Sequence, residues 1–544
     1  MAATLKDHGL ELEDFENINN KESSIAAVKG LLNATGCGFC LAKFKQVTLH
    51  LGTGMVHSCH HPSPHKIPLE EIEHNPLALF NTSVLKTART QMLNNEKPAE
   101  CDYCWRIEDD KGNSDRFYKS LEVWALPDHD SVTQLKGNED IYPSYLEVSF
   151  GNACNLSCLY CGPEFSSKWV EELKSEGPVV LFGELEKGKH VAQGWQDLDT
   201  LNYKNREFNP YIDAFWKAFP EVYKHLKNYR ITGGEPLMSK ETFRSMDWFI
   251  ENPNLNLDFS INSNLSVPDK IWKNFMTRLK KMRHGCVKKI TIYTSIEGWG
   301  DRASYARSGL DFALFKARVE EIAALGNVRC IIMSTFNIFS VTSFKDLLEW
   351  VLELKKNYNT NNAAQRFETE TGYQLKDYSY TDRRTNNPSH TFVIGIDIPY
   401  LRQPDFLDMQ LCSHELVEQY LLPCIEFMSD NTANPSWSHH QGFEPYELEK
   451  MKRIVLHRLY YNKKNDPDRD NDEGIRAKRA AFYEYIVEMD RRRGTDFLST
   501  FPEMSDYWSK CANARASHVE ASIIEEKGKL TSQSVMTKLF GKSL

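Results

Sequence analysis

Apolar residues recur three and four positions apart in KETFRSMDWFIEN, DKIWKNFMTRLKKM, LDFALFKARVEEIAALG and TSFKDLLEWVLELKK. Each stretch can therefore present one apolar face to a sheet, as an amphipathic helix does. Between and around them lie shorter runs: YLEVSFG (145–151), NYRITG (228–233), LDFSINSN (257–264), KITIYTSIE (289–297), VRCIIMSTFN (328–337) and HTFVIGIDIP (390–399). Their β-branched and aromatic enrichment is that of strands. Strand–helix alternation of this kind predicts an α/β fold with a parallel sheet, an open or partial barrel of six strands rather than eight. Two long insertions interrupt the rhythm, at about 166–225 and about 358–389. After residue 400 helical patterns dominate, and NKKNDPDRDNDEG (462–474) reads as an exposed linker.

Composition narrows the class without naming it. The 544 residues are 41% hydrophobic, 26% charged and 12% aromatic, with a net charge of −9, the profile of a soluble globular protein of several domains. That balance argues against a broad nucleic-acid surface, which wants clustered Lys and Arg. The densest basic stretch (Lys280, Lys281, Arg283, His284, Lys288, Lys289) reads as the solvated end of a helix. No apolar run approaches the roughly 20 residues of a membrane span, and the acidic, polar start is unlike a targeting signal. The expected location is the cytoplasm. In a reducing compartment the thirteen cysteines are not a disulfide framework, so their spacing carries the information.

Cys154, Cys158 and Cys161, in GNACNLSCLYCGPEFSSKW, are spaced C-x3-C-x2-C directly after the first strand of the barrel-like region. Thiolates are the usual ligands of iron–sulfur clusters, and three of them leave one iron of a cubane without a protein partner. An open coordination position distinguishes a reactive metal centre from a structural one. The competing zinc-knot reading needs a fourth ligand, and none is adjacent. Cys286, Cys330, Cys412, Cys424 and Cys511 are scattered singly and read as buried structural thiols.

The triplet, with aromatic Tyr160 before its last cysteine, resembles the hallmark of the radical S-adenosylmethionine (SAM) superfamily. The resemblance implies a partial (β/α)6 barrel. It also implies a [4Fe–4S] cluster whose open iron chelates the amino and carboxylate groups of SAM. One electron, from a donor such as flavodoxin or ferredoxin, then yields a 5′-deoxyadenosyl radical that abstracts hydrogen from a substrate. ITGGEP at the second strand, with Gly233, Gly234, Glu235 and Pro236, is similar to the family's GGE motif for the SAM amino group. Two glycines let a ligand approach the backbone, and a carboxylate beside them can accept from an ammonium. Asn264, Ser295, Glu297 and Asn337, at later strand ends, resemble residues that bind SAM in relatives, and Arg307 an arginine that pairs its carboxylate. Each is equally readable as a capping or turn residue, and Glu297 as substrate-facing.

Upstream, KQVTLHL and MVHSC flank GTG as a β-hairpin, with Cys40 before it and Cys59 at its end; the pair Cys101 and Cys104 follows. Four cysteines make a closed site for a structural zinc or a fully ligated [4Fe–4S] cluster. This resembles the twitch element, a shortened SPASM domain carrying an auxiliary cluster. Its place before the barrel resembles a subfamily common in phages and viruses. This chain departs from relatives in having LAKF after Cys40 and Cys59-His60 at the hairpin end, so Cys37 or His60 can replace one of the four. The run His57, His60, His61, His65 reads as a polar loop. The organisation expected is therefore an N-terminal extension (1–34), a twitch-like domain (35–135), the barrel (136–400) and a mainly helical region (401–544). The activity expected is radical SAM modification of a peptide or small molecule. RNA-base modification and a non-catalytic, metal-stabilised binding protein are the alternatives.

Overall fold

The computed structural model describes residues 22–181, 202–203, 207–359, 393–432, 441–460 and 468–517. Most of the second insertion and the first part of the expected 462–474 linker lie outside these residues. The fold is mixed α/β, a central sheet with many helices. Among the described residues eleven strands are formed: β1 (Gln46–His50), β2 (Met55–His57), β3 (His65–Lys66), β4 (Tyr145–Ser149), β5 (Ser157–Cys158), β6 (Asn228–Thr232), β7 (Asn254–Ser263), β8 (Val287–Ser295), β9 (Arg307–Ser308), β10 (Val328–Met333) and β11 (Ile394–Asp397). Nine of them make one sheet in the order β11-β10-β8-β7-β6-β4-β1-β2-β3. From β4 to β11 each sheet strand adds beside the previous one, all parallel, because a helix intervenes at every crossover.

The two faces of this sheet differ sharply. Leu146, Val148, Tyr229, Ile231, Phe259, Ile261 and Ile292 are fully buried under the crossover helices. Their neighbours Glu147, Arg230, Ser260, Asn262, Tyr293 and Ser295 alternate with them and are only half-buried. A parallel sheet covered on both sides reads as continuous apolar strands; strict alternation means that one face looks onto a polar hollow.

The hairpin β1–β2 forms as its sequence implies, with Leu49 opposite Val56. It does not stand apart, however. β1 pairs in parallel with β4, Thr48 beside Glu147, so the cysteine-rich segment extends the central sheet. A second, smaller core under it gathers Phe39, Phe44, Trp105, Phe117 and Trp124. The helix Glu22–Thr35 contributes Val28, Leu31 and Leu32 to that core, so residues from 22 onward belong to it rather than to an extension.

The C-terminal helices share the main core with the sheet. Lys355 and Glu447, both fully buried, pair at 2.7 Å, and the Ile396 amide of β11 donates to the same carboxylate. The described end of the expected linker is held down by charge: Asp468 pairs with Lys510, and Asp470 with Arg479. The helix Glu473–Arg493 follows and reaches back to residues 172–178 through Arg492 and Arg493.

Candidate functional site

The cysteine triplet sits where β4 ends. Its loop is fastened mainly through backbone atoms. Ser166 Oγ donates to the Leu156 carbonyl at 2.7 Å, and Trp169 Nε1 to that of Cys158 at 2.8 Å. Ser167 Oγ bonds both the amide and the carbonyl of Cys154. β5 pairs antiparallel with β9, placing Cys158 opposite Arg307. From the C-terminal helix, Tyr485 donates its hydroxyl to the Leu159 carbonyl at 2.6 Å. Sequence reading missed Trp169 and Tyr485; SSKW just after the triplet is a helix-start pattern and was the available signal for the first.

All three thiols are free and largely buried. Burial pushes the Cys154 thiol up to about 12 and those of Cys158 and Cys161 up as well. Unmetallated, they stay protonated at neutral pH, and a bound metal displaces those protons. Two sulfurs already face donors: Asn264 Nδ2 lies 3.8 Å from Cys154 Sγ, and Arg307 Nη1 lies 3.7 Å from Cys158 Sγ. Hydrogen bonds to sulfur are one of the means by which proteins tune iron–sulfur clusters.

The GGEP segment packs directly against the cysteine loop. A Cβ on Gly234 would lie 2.6 Å from the Ala153 carbonyl oxygen and 2.7 Å from the Asn152 carbonyl carbon. The Gly234 and Glu235 amides donate to the Gly151 and Ala153 carbonyls. The close approach these glycines permit is therefore to the cysteine loop. The Glu235 carboxylate turns inward, accepting from Asn264 N at 2.6 Å, Ser263 Oγ at 2.8 Å and Leu237 N at 3.0 Å. Burial outweighs these bonds and raises its carboxyl to about 7. Pro236 opens the short 3₁₀ turn that follows. Gly234→Ala is expected to cost about 1–3 kcal/mol through overpacking against rigid backbone. It should lower both the melting midpoint and the iron retained on gel filtration; wild-type values for both would refute this role.

The remaining rim residues separate into two groups. Asn264 is at the triplet, and Glu297 and Arg307 form a bidentate ion pair there, at 2.6 and 2.8 Å, with Arg307 also over the Tyr160 ring. The Arg307 guanidinium faces Glu297 and the Cys158 sulfur. Tyr160 has a buried hydroxyl without a hydrogen-bond partner. Ser295 is half-buried at the end of β8. Asn337 is a capping residue: its Oδ1 accepts from Phe339 N, its Nδ2 donates to Thr335 O, and Ser340 closes the box.

Cys40, Cys59, Cys101 and Cys104 line one cavity together with Lys43, His60 and His61. Burial raises Cys101 and Cys104 to about 12. Cys37 is exposed and turned to the Asn95 carbonyl, away from the cavity. The imidazoles have other partners: His57 bonds the Cys59 carbonyl and His50, His61 bonds Asp115, and His65 bonds Thr82. Among the described residues no three Cys, His, Asp or Glu side chains converge tightly enough to chelate a single metal ion. Grouped soft thiols suit an iron–sulfur cluster, and a set of four suits zinc as well.

No family model matches the chain. It is 20% identical over 356 residues to GTP 3′,8-cyclase of Aliarcobacter butzleri (strain RM4018), a match covering 61% of this chain and 95% of that protein. Two solved structures of Streptococcus suis SuiB align at 12% identity. One is bound to the precursor peptide SuiA (TM-score 0.28, covering 74% of this chain and 77% of that one). The other is bound to S-adenosylmethionine (TM-score 0.27, covering 74% and 76%). Among the described residues no helix is long and apolar enough to cross a membrane.

Proposed function

We propose that this enzyme is a radical SAM enzyme, with Cys154, Cys158 and Cys161 as ligands of a [4Fe–4S] cluster. The observation that carries the reading is the triplet loop: three largely buried thiols, on a loop fastened mainly through its backbone, after the C-terminal end of β4. That is the edge where α/β folds place ligands and chemistry. With cluster and SAM bound, the pair supplies one-electron cleavage to methionine and a 5′-deoxyadenosyl radical, which takes a hydrogen atom from the substrate. The chain's own residues hold and orient. Asn264 and Arg307 present N–H groups to two of the sulfurs, and Gly233 and Gly234 let the loop lie flat on the strand ends. The C-terminal helix covers the loop and limits water. SAM and an external one-electron donor such as flavodoxin or ferredoxin are the partners this chemistry requires.

Cys40, Cys59, Cys101 and Cys104 are proposed to hold an auxiliary [4Fe–4S] cluster in a twitch-like element; zinc is the alternative occupant. RNA modification is less well supported, because the net charge is −9. The test is anaerobic purification and reconstitution, then incubation with SAM and dithionite. Formation of 5′-deoxyadenosine is expected, with about eight irons per chain. About four irons with one zinc would reassign the N-terminal site. Absence of 5′-deoxyadenosine from iron-replete protein would overturn the proposal.

A further inference from the structure

We propose that the polar face of the sheet, between the two cysteine sites, is a receptor for a small zwitterion, of which a free α-amino acid is the simplest. The inference rests on the reading of the triplet above and names the class of molecule that would enter beside it.

Glu147 and Arg230 are direct neighbours in the β4–β6 ladder and share the polar face. Opposite charges so placed on adjacent strands ordinarily close on each other. Here each is drawn to a different neighbour. Arg230 donates its Nε to Asn262 at 3.1 Å and stacks on the Tyr293 ring at 4.6 Å. Glu147 accepts from Thr232 Oγ1 through one oxygen at 3.3 Å. Its other oxygen is buried and has no partner.

That oxygen has company. Thr48 is the β1 partner of Glu147, and Gln46 lies two residues earlier on the same face. The Thr48 hydroxyl and both amide atoms of Gln46 are also buried without partners, in side chains only 2% and 1% exposed. Orphaned polar atoms in a row are costly unless something satisfies them. Three acceptors (Glu147 Oε2, Thr48 Oγ1 and Gln46 Oε1) match the three N–H donors of an ammonium. The Arg230 guanidinium beside them matches a carboxylate. His50, on the same strand as Gln46, is pushed down to about 4 by burial and leaves no competing positive charge at neutral pH. A phosphate ester would meet Glu147, and a polyamine would meet Arg230; a zwitterion satisfies both. β1 starts six residues after Cys40 and β4 ends five before Cys154, so the receptor lies between the two thiol sets.

The test is calorimetry on the full-length reconstituted protein with SAM saturating, so that its own methionyl head group does not compete. The probes are the twenty free α-amino acids and, for each binder, its carboxamide and its N-acetyl form. At least one free amino acid should bind, with both blocked forms at least tenfold weaker. Glu147→Gln should lose at least tenfold for the free acid and little for the N-acetyl form. Arg230→Gln should lose as much for the free acid and little for the carboxamide. Melting curves and iron content check that each variant is folded, and Thr48→Val removes one acceptor without touching a charge. No binding by any probe at millimolar concentration, or affinities unchanged in all three folded variants, would overturn the receptor. Should 5′-deoxyadenosine form while no amino acid binds, this inference alone fails. Amino-acid binding without 5′-deoxyadenosine sinks the radical reading and leaves the receptor standing.

Discussion

Replacing Cys154, Cys158 and Cys161 together with alanine is expected to abolish 5′-deoxyadenosine formation and to halve bound iron, from about eight to about four per chain. The sulfurs are the only groups on this loop suited to hold soft iron, so no neighbouring residue can substitute. The same change should leave the fold intact, which makes the result interpretable. Cys154, Leu156 and Cys158 form a small satellite cluster apart from the main core. The bonds that pin the loop, from Ser166, Ser167, Trp169 and Tyr485, all end on backbone atoms. Far-UV circular dichroism should therefore match the wild type while the cluster absorbance falls. Iron counting separates the two sites, because the four upstream cysteines are untouched. A variant that still makes 5′-deoxyadenosine at the wild-type rate would place the chemistry elsewhere; one that loses all its iron would mean that the two sites assemble together.

Much of the fold could be read from local pattern, since local pattern is what strands and helices obey. The helix Asp269–Met282 begins and ends where its apolar spacing does, and the six parallel strands lie within a few residues of the runs that announced them. What the pattern could not convey was pairing across distance. Nothing in QVTLH says that its neighbour is YLEVS, almost a hundred residues later, so the hairpin read as part of a separate domain. Arg307 and Glu297 each looked like a ligand-binding residue. That they bind each other depends on how the segment after β8 folds back. Asn337 also obeys a local rule, the capping box, that N-I-F-S already satisfies. The polar face is the reverse case. Glu147, Ser149, Arg230, Thr232, Ser260, Asn262 and Tyr293 alternate visibly in the sequence. Period-two alternation, not strand composition, carries that signal.

The Glu297–Arg307 pair yields the other large expected effect. Both side chains are buried, at 1% and 6% exposure. Such a pair stabilises little in itself, because desolvation cancels most of the attraction, yet removing one partner strands the other charge. Arg307→Met is therefore expected to cost about 3–5 kcal/mol, read as a lower urea midpoint for the anaerobic protein. Adding Glu297→Met removes the stranded carboxylate and should return most of that loss, so the double variant is more stable than the single one. Cluster chemistry should not recover with stability. Arg307 also presents Nη1 to Cys158 Sγ, and both variants lack that donor. The double variant should thus fold like the wild type while its cluster shows an altered reduction potential or faster iron loss. If the two losses simply add, Arg307 and Glu297 are not acting as a pair. If the double variant keeps a wild-type potential, Arg307 serves the fold alone, and the cluster takes nothing from the bond to its sulfur.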